Sequence, residues 1–177
     1  MNQGNDIIID DDSVFKIARN CDHCKIGNRV AIDKGFYCTT HIILGDYVHI
    51  SPYVTCVGGK EGGFITEGFN NIMAGARIVC VSDRFDDSGL FGALIPEEFK
   101  GKQIKGNVMM EKFSNIGTNA IVMPGSTLRE GVLLTAGSLL IGDTVPWGVY
   151  KGSPAKLEKT LDPTRIKRKY EELTKWT

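Results

Sequence analysis

Apolar or compact residues return every six positions through most of this chain. Ile26, Ile32, Cys38, Leu44, Ile50 and Cys56 form one run, and Met110, Ile116, Val122, Leu128, Leu134 and Leu140 form a second after an interruption. A second compact residue follows four places on: Val30, Phe36, Ile42, Val48 and Val54, then Ser114, Ala120, Ser126, Val132 and Ser138. Neither the helical period nor simple alternation holds register at six over such a length, so each hexad reads as a short strand plus a tight turn. Units of this kind cannot bury an apolar face alone, and the pattern predicts an all-β solenoid. With three hexads to a triangular coil, residues 18 apart become neighbours in adjacent layers, which puts Ile26 under Leu44 and Met110 under Leu128.

The breaks in the pattern divide the chain. Residues 1–25 keep a degraded form of it, with Ile8, Val14 and Asn20 on the extrapolated inward register, and are expected to cap the solenoid. The glycine-rich stretch VGGKEGG at 57–63 shifts the phase, and Thr66, Ile72 and Ile78 resume it about four residues late. If that bulge is left out of the layer count, His49 lies under Asn71. Residues 82–106 form a protruding loop, of a length that is usually functional in a compact domain. Its Leu90, Phe91, Leu94, Ile95 and Phe99 suggest packing on something, such as a neighbouring subunit. The solenoid should therefore occupy 26–81 and 107–145 of one domain, with an extension over 146–177. Asp162-Pro163 is a helix start, and Ile166, Tyr170 and Leu173 would dock the terminal helix against the last coil.

Charge narrows the partners. Lys plus Arg and Asp plus Glu are 21 each, so the chain carries no overall field for nucleic acid, and charged ligands must meet local clusters. No apolar run reaches the ~18 residues of a membrane span, and the expected location is cytoplasmic. Cys21, Cys24, Cys38, Cys56 and Cys80 read as small buried hydrophobes in a reducing compartment. Cys21 and Cys24 flank His23 in a C-x-x-C, but no second pair follows at zinc-ribbon spacing, and no metal is expected.

The order of repeat, interrupting loop and closing Gly152-Ser153-Pro154-Ala155-Lys156 resembles the hexapeptide-repeat acyltransferases, the left-handed parallel β-helix family of galactoside, maltose and antibiotic acetyltransferases. Segment 116–156 carries the most specific likeness, including Ala136-Gly137-Ser138. The resemblance implies a homotrimer with acetyl-CoA as acyl donor in a groove between subunits and a saccharide or nucleotide-sugar acceptor near the loops. Gly117, Ala136, Gly137, Ser138 and Pro154 are then the donor-site positions, with Lys151 and Lys156 toward the nucleotide phosphates. Backbone amides along glycine- and alanine-rich coils suit the amide chain of a pantetheine arm.

Acyl transfer to an alcohol or amine needs a proton acceptor. Where the family's acetyltransferases place a histidine before the long loop, this chain has Asp83. His49, outward-facing beside a coil corner, is the first candidate base, because an imidazole titrates in the right range. Asp83 is the second, more suited to holding the acceptor than to proton abstraction. Asn71, Arg84 and Asp86 complete the expected acceptor site. The leading reading is an acetyl-CoA-dependent O- or N-acetyltransferase acting on a sugar of surface-polysaccharide or lipopolysaccharide assembly, a substrate class that rests on resemblance. Its rivals are antibiotic O-acetylation, a β-helical metalloprotein of carbonic-anhydrase type using His23, His41 and His49, and a noncatalytic solenoid.

Overall fold

A hexad cannot satisfy its own backbone hydrogen bonds, so each short strand must pair with its equivalents in the coils above and below. The computed structural model, which describes residues 2–15 and 24–176, realises this as a parallel β-helix with three flat faces. The first face stacks Asn2–Gln3, Lys25–Ile26, His41–Leu44, Gly63–Thr66, Val108–Met110 and Thr127–Leu128. The second stacks Ile8–Ile9, Ala31–Ile32, Asp46–Ile50, Gly68–Ile72, Asn115–Ile116, Leu133–Leu134 and Gly148–Gly152, and ends in the antiparallel strand Ala155–Thr160. The third stacks Val14–Phe15, Tyr37–Cys38, Thr55–Val57, Arg77–Val79, Ile121–Val122 and Leu139–Leu140.

The core is a set of vertical columns. Ile32, Ile50, Ile72, Ile116 and Leu134 lie one above another on the second face, the four isoleucines with no exposed surface. Each such side chain contributes about 1.5–3 kcal/mol by leaving water. The second compact residue of each hexad is buried as well, from Val30 and Phe36 to Ser126 and Ser138. Ile26 pairs with Leu44 and Met110 with Leu128, as the spacing predicts. Cys38, Cys56 and Cys80 are buried free thiols, as expected, but Cys24, also buried, is disulfide-bonded, which corrects the reading of it as a free thiol. Cys21 and His23 lie outside the described residues.

As far as Leu140 the inward positions inside each coil stay six apart and every added length falls at the corner where the third face returns to the first, whereas the last coil is shortened and sets Tyr150 over Leu134. The connections from Phe15 to Ile26, from Cys56 to Thr66 and from Ile78 to Met110 carry the extra residues. The first of these corrects the reading of the amino-terminal coil. Ile9 sits opposite Ile32 and Phe15 opposite Cys38, so Ile7, Ile9 and Phe15 pack on the core while Ile8 is 71% and Val14 42% exposed. Extrapolation in sixes assumed an ordinary corner between the first two coils. The longer connection displaces the register by one residue, which in a strand turns the opposite set of side chains inward. Asn20 lies outside the described residues.

The protruding segment has structure of its own. Val81–Asp83 and Gln103–Lys105 form an antiparallel ribbon, with a 3-10 turn at Glu97–Phe99 beyond it. Its apolar side chains stay largely in water: Leu94 is 97% exposed and Phe85 80%. The terminal helix, Thr164–Thr174, starts where Asp162 accepts hydrogen bonds from the Thr164 amide at 2.9 Å and hydroxyl at 2.6 Å. It docks across several coils rather than on the last one alone. Tyr47, Phe69 and Phe113 occupy the same positive-φ corner of successive coils, with Gly131 and then Trp147 in the next two; Trp147 lies over Gly131, and the four rings stack, with Tyr47 and Phe69 centroids 4.6 Å apart. Tyr170 meets Phe69 and Phe113 edge-on at 5.1 and 5.3 Å. Tyr170→Ala is expected to cost about 1–2 kcal/mol, measured by urea unfolding. Hydrogen exchange should quicken over residues 164–174 while the solenoid amides keep their protection.

Candidate active site

Side chains alternate across a strand, so the residue before each inward isoleucine of the second face points outward. This alignment puts Ala31, His49, Asn71, Asn115 and Leu133 in one row, one residue per coil. His49, Asn71 and Asn115 line a cavity of about 430 Å³, whose apolar wall is Tyr47, Phe69, Phe113 and Ile166. The terminal helix therefore closes one side of the site through Ile166.

Three polar groups define its chemistry. His49 Nε2 lies 2.8 Å from Asp33 Oδ2, both side chains half-exposed. An ionised carboxylate only accepts, so Nε2 carries the proton of the neutral ring and Nδ1 keeps a lone pair. Asn115 is fully engaged, its Oδ1 accepting the Asn71 amide at 3.0 Å and its Nδ2 donating to the Phe113 carbonyl at 2.7 Å. Asn71 Oδ1 is buried and receives no hydrogen bond among the described residues. Such an acceptor costs about 1–3 kcal/mol until a donor reaches it. Among the described residues, His49 Nδ1 and Asn71 Oδ1 are thus two unpaired acceptors at neighbouring positions of the row, the second beneath the surface.

The acceptor-site candidates from the loop lie elsewhere. Asp83 is on the ribbon leaving the third face, where its Oδ1 accepts from Gln103 Nε2 at 3.1 Å. Arg84 pairs with Asp86 at 2.8 Å, and Asp86 also accepts the Ser88 amide at 3.0 Å. The Ser88 hydroxyl and amide, then the charges of Arg84 and Lys102, hold the Asp86 carboxyl below its ordinary value. Asp86 is an organiser of the loop. Asp83, Arg84 and Asp86 are not among the residues lining the His49 cavity, so one chain does not gather all the candidates into one place.

The donor-site candidates form a continuous ridge at the corner between the second and third faces. Gly117 sits directly beneath the next coil: a Cβ there would fall 2.5 Å from the Ala136 amide nitrogen and 2.8 Å from the Leu134 carbonyl oxygen. Gly137 is the opposite case, with φ of +67° and nothing within 4 Å of a built Cβ, so the backbone at Ala136 and Gly137 forms an open ledge. Ser138 faces inward, only 1% exposed, and its hydroxyl bonds Thr135 Oγ1 at 2.9 Å and accepts the Gly152 amide at 3.1 Å. It fastens the terminal hairpin to the ridge. At the tip of that hairpin Pro154 is exposed, and Lys151 stands opposite Lys156. Like charges facing each other across a strand pair are unfavourable without an anion, and here Glu158 supplies one, its carboxylate 3.9 Å from Lys151 Nζ. The ledge and the lysine pair are compatible with a long, phosphorylated amide chain.

His41 lies beside Gly63 on the first face and His49 beside Asn71 on the second, so these imidazoles do not converge as a carbonic-anhydrase site needs. His23 lies outside the described residues. Sequence reasoning missed Asp33, Asn115 and the aromatic wall. No helix among the described residues is long and apolar enough to cross a membrane.

No protein-family model matches the sequence. The chain is 28% identical over 158 residues to the dTDP-4-amino-4,6-dideoxy-D-glucose acyltransferase of Escherichia coli, covering 86% of this chain and 78% of that one. It is 34% identical over 116 residues to a probable macrolide acetyltransferase of Lysinibacillus sphaericus, covering 66% and 61% respectively. Among solved structures, a variant of AntD, an N-acyltransferase from Bacillus cereus in complex with dTDP-4-amino-4,6-dideoxyglucose and coenzyme A, superposes with a TM-score of 0.88 at 27% identity, over 98% of this chain and 90% of that one. A helix wound with the opposite hand could not superpose so closely over its whole length. With the six-residue coils, the closing signature and these relatives together, the chain is similar to the hexapeptide-repeat acyltransferases and shares their left-handed β-helix fold.

Proposed function

We propose that the protein transfers an acyl group from acyl-CoA to the amino group of a nucleotide-linked amino sugar. The observation that carries this reading is the pair of acceptors in the second-face cavity, the Nδ1 of His49 and the orphaned Oδ1 of Asn71. Both seek N–H donors, and an amine supplies more than one where a sugar hydroxyl supplies a single O–H. The Escherichia coli relative and the Bacillus cereus enzyme, by their names, act on or hold an amino sugar linked to dTDP, which supports an amine over an alcohol.

The chemistry then follows from the residues. The amine attacks the thioester carbonyl, an N–C bond forms, and the C–S bond breaks with the thiolate leaving. His49 Nδ1 takes the surplus proton from nitrogen and returns it to the departing sulfur. Asn71 holds the remaining N–H and so aims the lone pair. The ridge at Gly117, Ala136 and Gly137 receives the pantetheine amides, and Lys151 and Lys156 receive phosphates. Asp83 and Arg84 reach the acceptor from a neighbouring copy, which makes the working form a homotrimer. The exposed apolar surface of Leu94 and its neighbours suits such a contact. Acetyl is the expected acyl group, and the cytoplasm, where acyl-CoA is held, the expected location.

The test is thiol release from acetyl-CoA with dTDP-4-amino-4,6-dideoxyglucose, with its 4-hydroxy counterpart, and with a macrolide. We expect turnover with the amine and little with the other two. Preference for the macrolide would favour antibiotic acetylation, and no release above hydrolysis with any amino sugar nucleotide would remove the reading. Sedimentation should give a trimer, and a fully active monomer would contradict the shared site.

A further inference from the structure

We infer that Asp33 is a positioning residue that fixes the proton of His49 on Nε2 and so keeps Nδ1 as the proton acceptor for the incoming amine. The inference rests on the acyl-transfer reading for its kinetic consequence, but the geometry behind it does not.

Asp33 follows the inward Ile32, which pairs with Ile50 one coil up. His49 precedes Ile50 on the same strand. Asp33 and His49 are therefore diagonal neighbours on the outer surface of the second face, in a relation set by the coil register rather than by side-chain chance. The result is the 2.8 Å contact between Oδ2 and Nε2. Through this contact the Asp33 carboxylate and the His49 ring are matched to one another. The flanking positions in the row are Ala31, which offers no polar atom, and Asn71. Tyr47 lines the same cavity as the ring, and its hydroxyl is already bonded to Arg29 Nη1.

A charge-assisted bond of this kind is about twice as strong as a neutral one. It holds the ring plane and also selects the tautomer, because the carboxylate can accept a proton and cannot donate one. A ring locked in this way presents its lone pair at a fixed angle, and proton transfer depends steeply on that alignment. Without the carboxylate the imidazole remains in the cavity, but it populates both tautomers and turns more freely. The acceptor would still bind, since Asn71 and the aromatic wall are untouched.

The experiment uses the full-length protein as wild type, Asp33→Asn, His49→Gln and the double variant. Ring ¹⁵N shifts of His49 are recorded without substrate, and kcat and KM are measured with acetyl-CoA and the amino sugar nucleotide. In the wild type the neutral ring should carry its proton on Nε2, and in Asp33→Asn that preference should weaken. Asp33→Asn should lower kcat roughly 10-fold or more with KM changed less than about threefold, a part of the full effect of a general base. Adding it to His49→Gln should cost nothing further, and Asp33→Glu should recover part of the rate. A wild-type ring protonated on Nδ1, or a loss that multiplies in the double variant, would overturn the inference. If no amine is acylated by the wild type, the functional reading fails, while the ring shifts still decide whether Asp33 sets the tautomer.

Discussion

Replacing His49 with alanine lowers turnover by about 100-fold or more while the protein stays folded. The size of the effect follows from what is removed. His49 is the one group lining the second-face cavity with a nitrogen lone pair that can take a proton, and the site offers no substitute at that position in the row. Asn71 can accept an N–H but cannot carry a proton away. Stability should hardly change, because the ring is half-exposed and its partner Asp33 can return to water. The measurement is kcat with the amine acceptor, beside thermal unfolding of the same preparation. Turnover within a few-fold of wild type, with the melting temperature unchanged, would take His49 out of the proton-transfer role and shift it to Asp83 or to the amine itself, bound as the free base.

Gly117→Ala carries the second large effect, and it falls on stability. The new methyl would sit 2.5 Å from the Ala136 nitrogen, and both contacting atoms belong to the backbone of the next coil. That coil cannot retreat without breaking the pairing of Ile116 with Leu134 and the bond from the Gly117 amide to the Leu134 carbonyl at 2.8 Å. Overpacking against an unyielding neighbour costs about 1–3 kcal/mol, and the upper end is expected here. Gly137→Ala provides the contrast. The space beside it is open, and the cost is confined to the left-handed conformation, about 1–2 kcal/mol. Gly137→Asn should be milder still, since Asn119 already adopts φ of +56° at the same corner one coil below. Urea unfolding ranks the three. If Gly117→Ala proves no worse than Gly137→Ala, the close approach of the two coils is wrong. Both substitutions should also weaken binding of coenzyme A, measured by calorimetry, if the ridge receives it.

Much of this architecture was legible in the hexads because one physical requirement, that branched or small side chains stack on their counterparts, recurs in every coil. The columns through Ile32, Ile50, Ile72 and Ile116 follow from it directly. So does the row containing His49, Asn71 and Asn115, each the residue before an inward isoleucine. Asp33 was legible by the same rule: one coil below His49 is Ala31, and two residues on is the next outward side chain. Ser138 shows the rule being overlooked. It belongs to the compact inward set, and its hydroxyl is accordingly spent inside the coil rather than offered to a ligand. The aromatic wall was hidden for a different reason. Turn positions that require positive φ favour Gly, Asn or Asp, and nothing in local propensity announces that Tyr47, Phe69, Phe113 and Trp147 would tolerate it in exchange for stacking on each other and on Tyr170. The amino-terminal coil was misread by one residue because the length of a corner connection is not written in the hexads on either side of it.

Those corner connections have a further consequence. All three enlargements of the coil fall on one vertical edge, where the third face gives way to the first, while the ridge of Gly117, Ala136 and Gly137 runs along another edge whose spacing never varies. A chain built this way separates what may change from what must not. Residues can be gained or lost along the variable edge without moving a strand on the constant one, so the protruding segment is free to change in length while the ridge and the row through His49 keep their geometry.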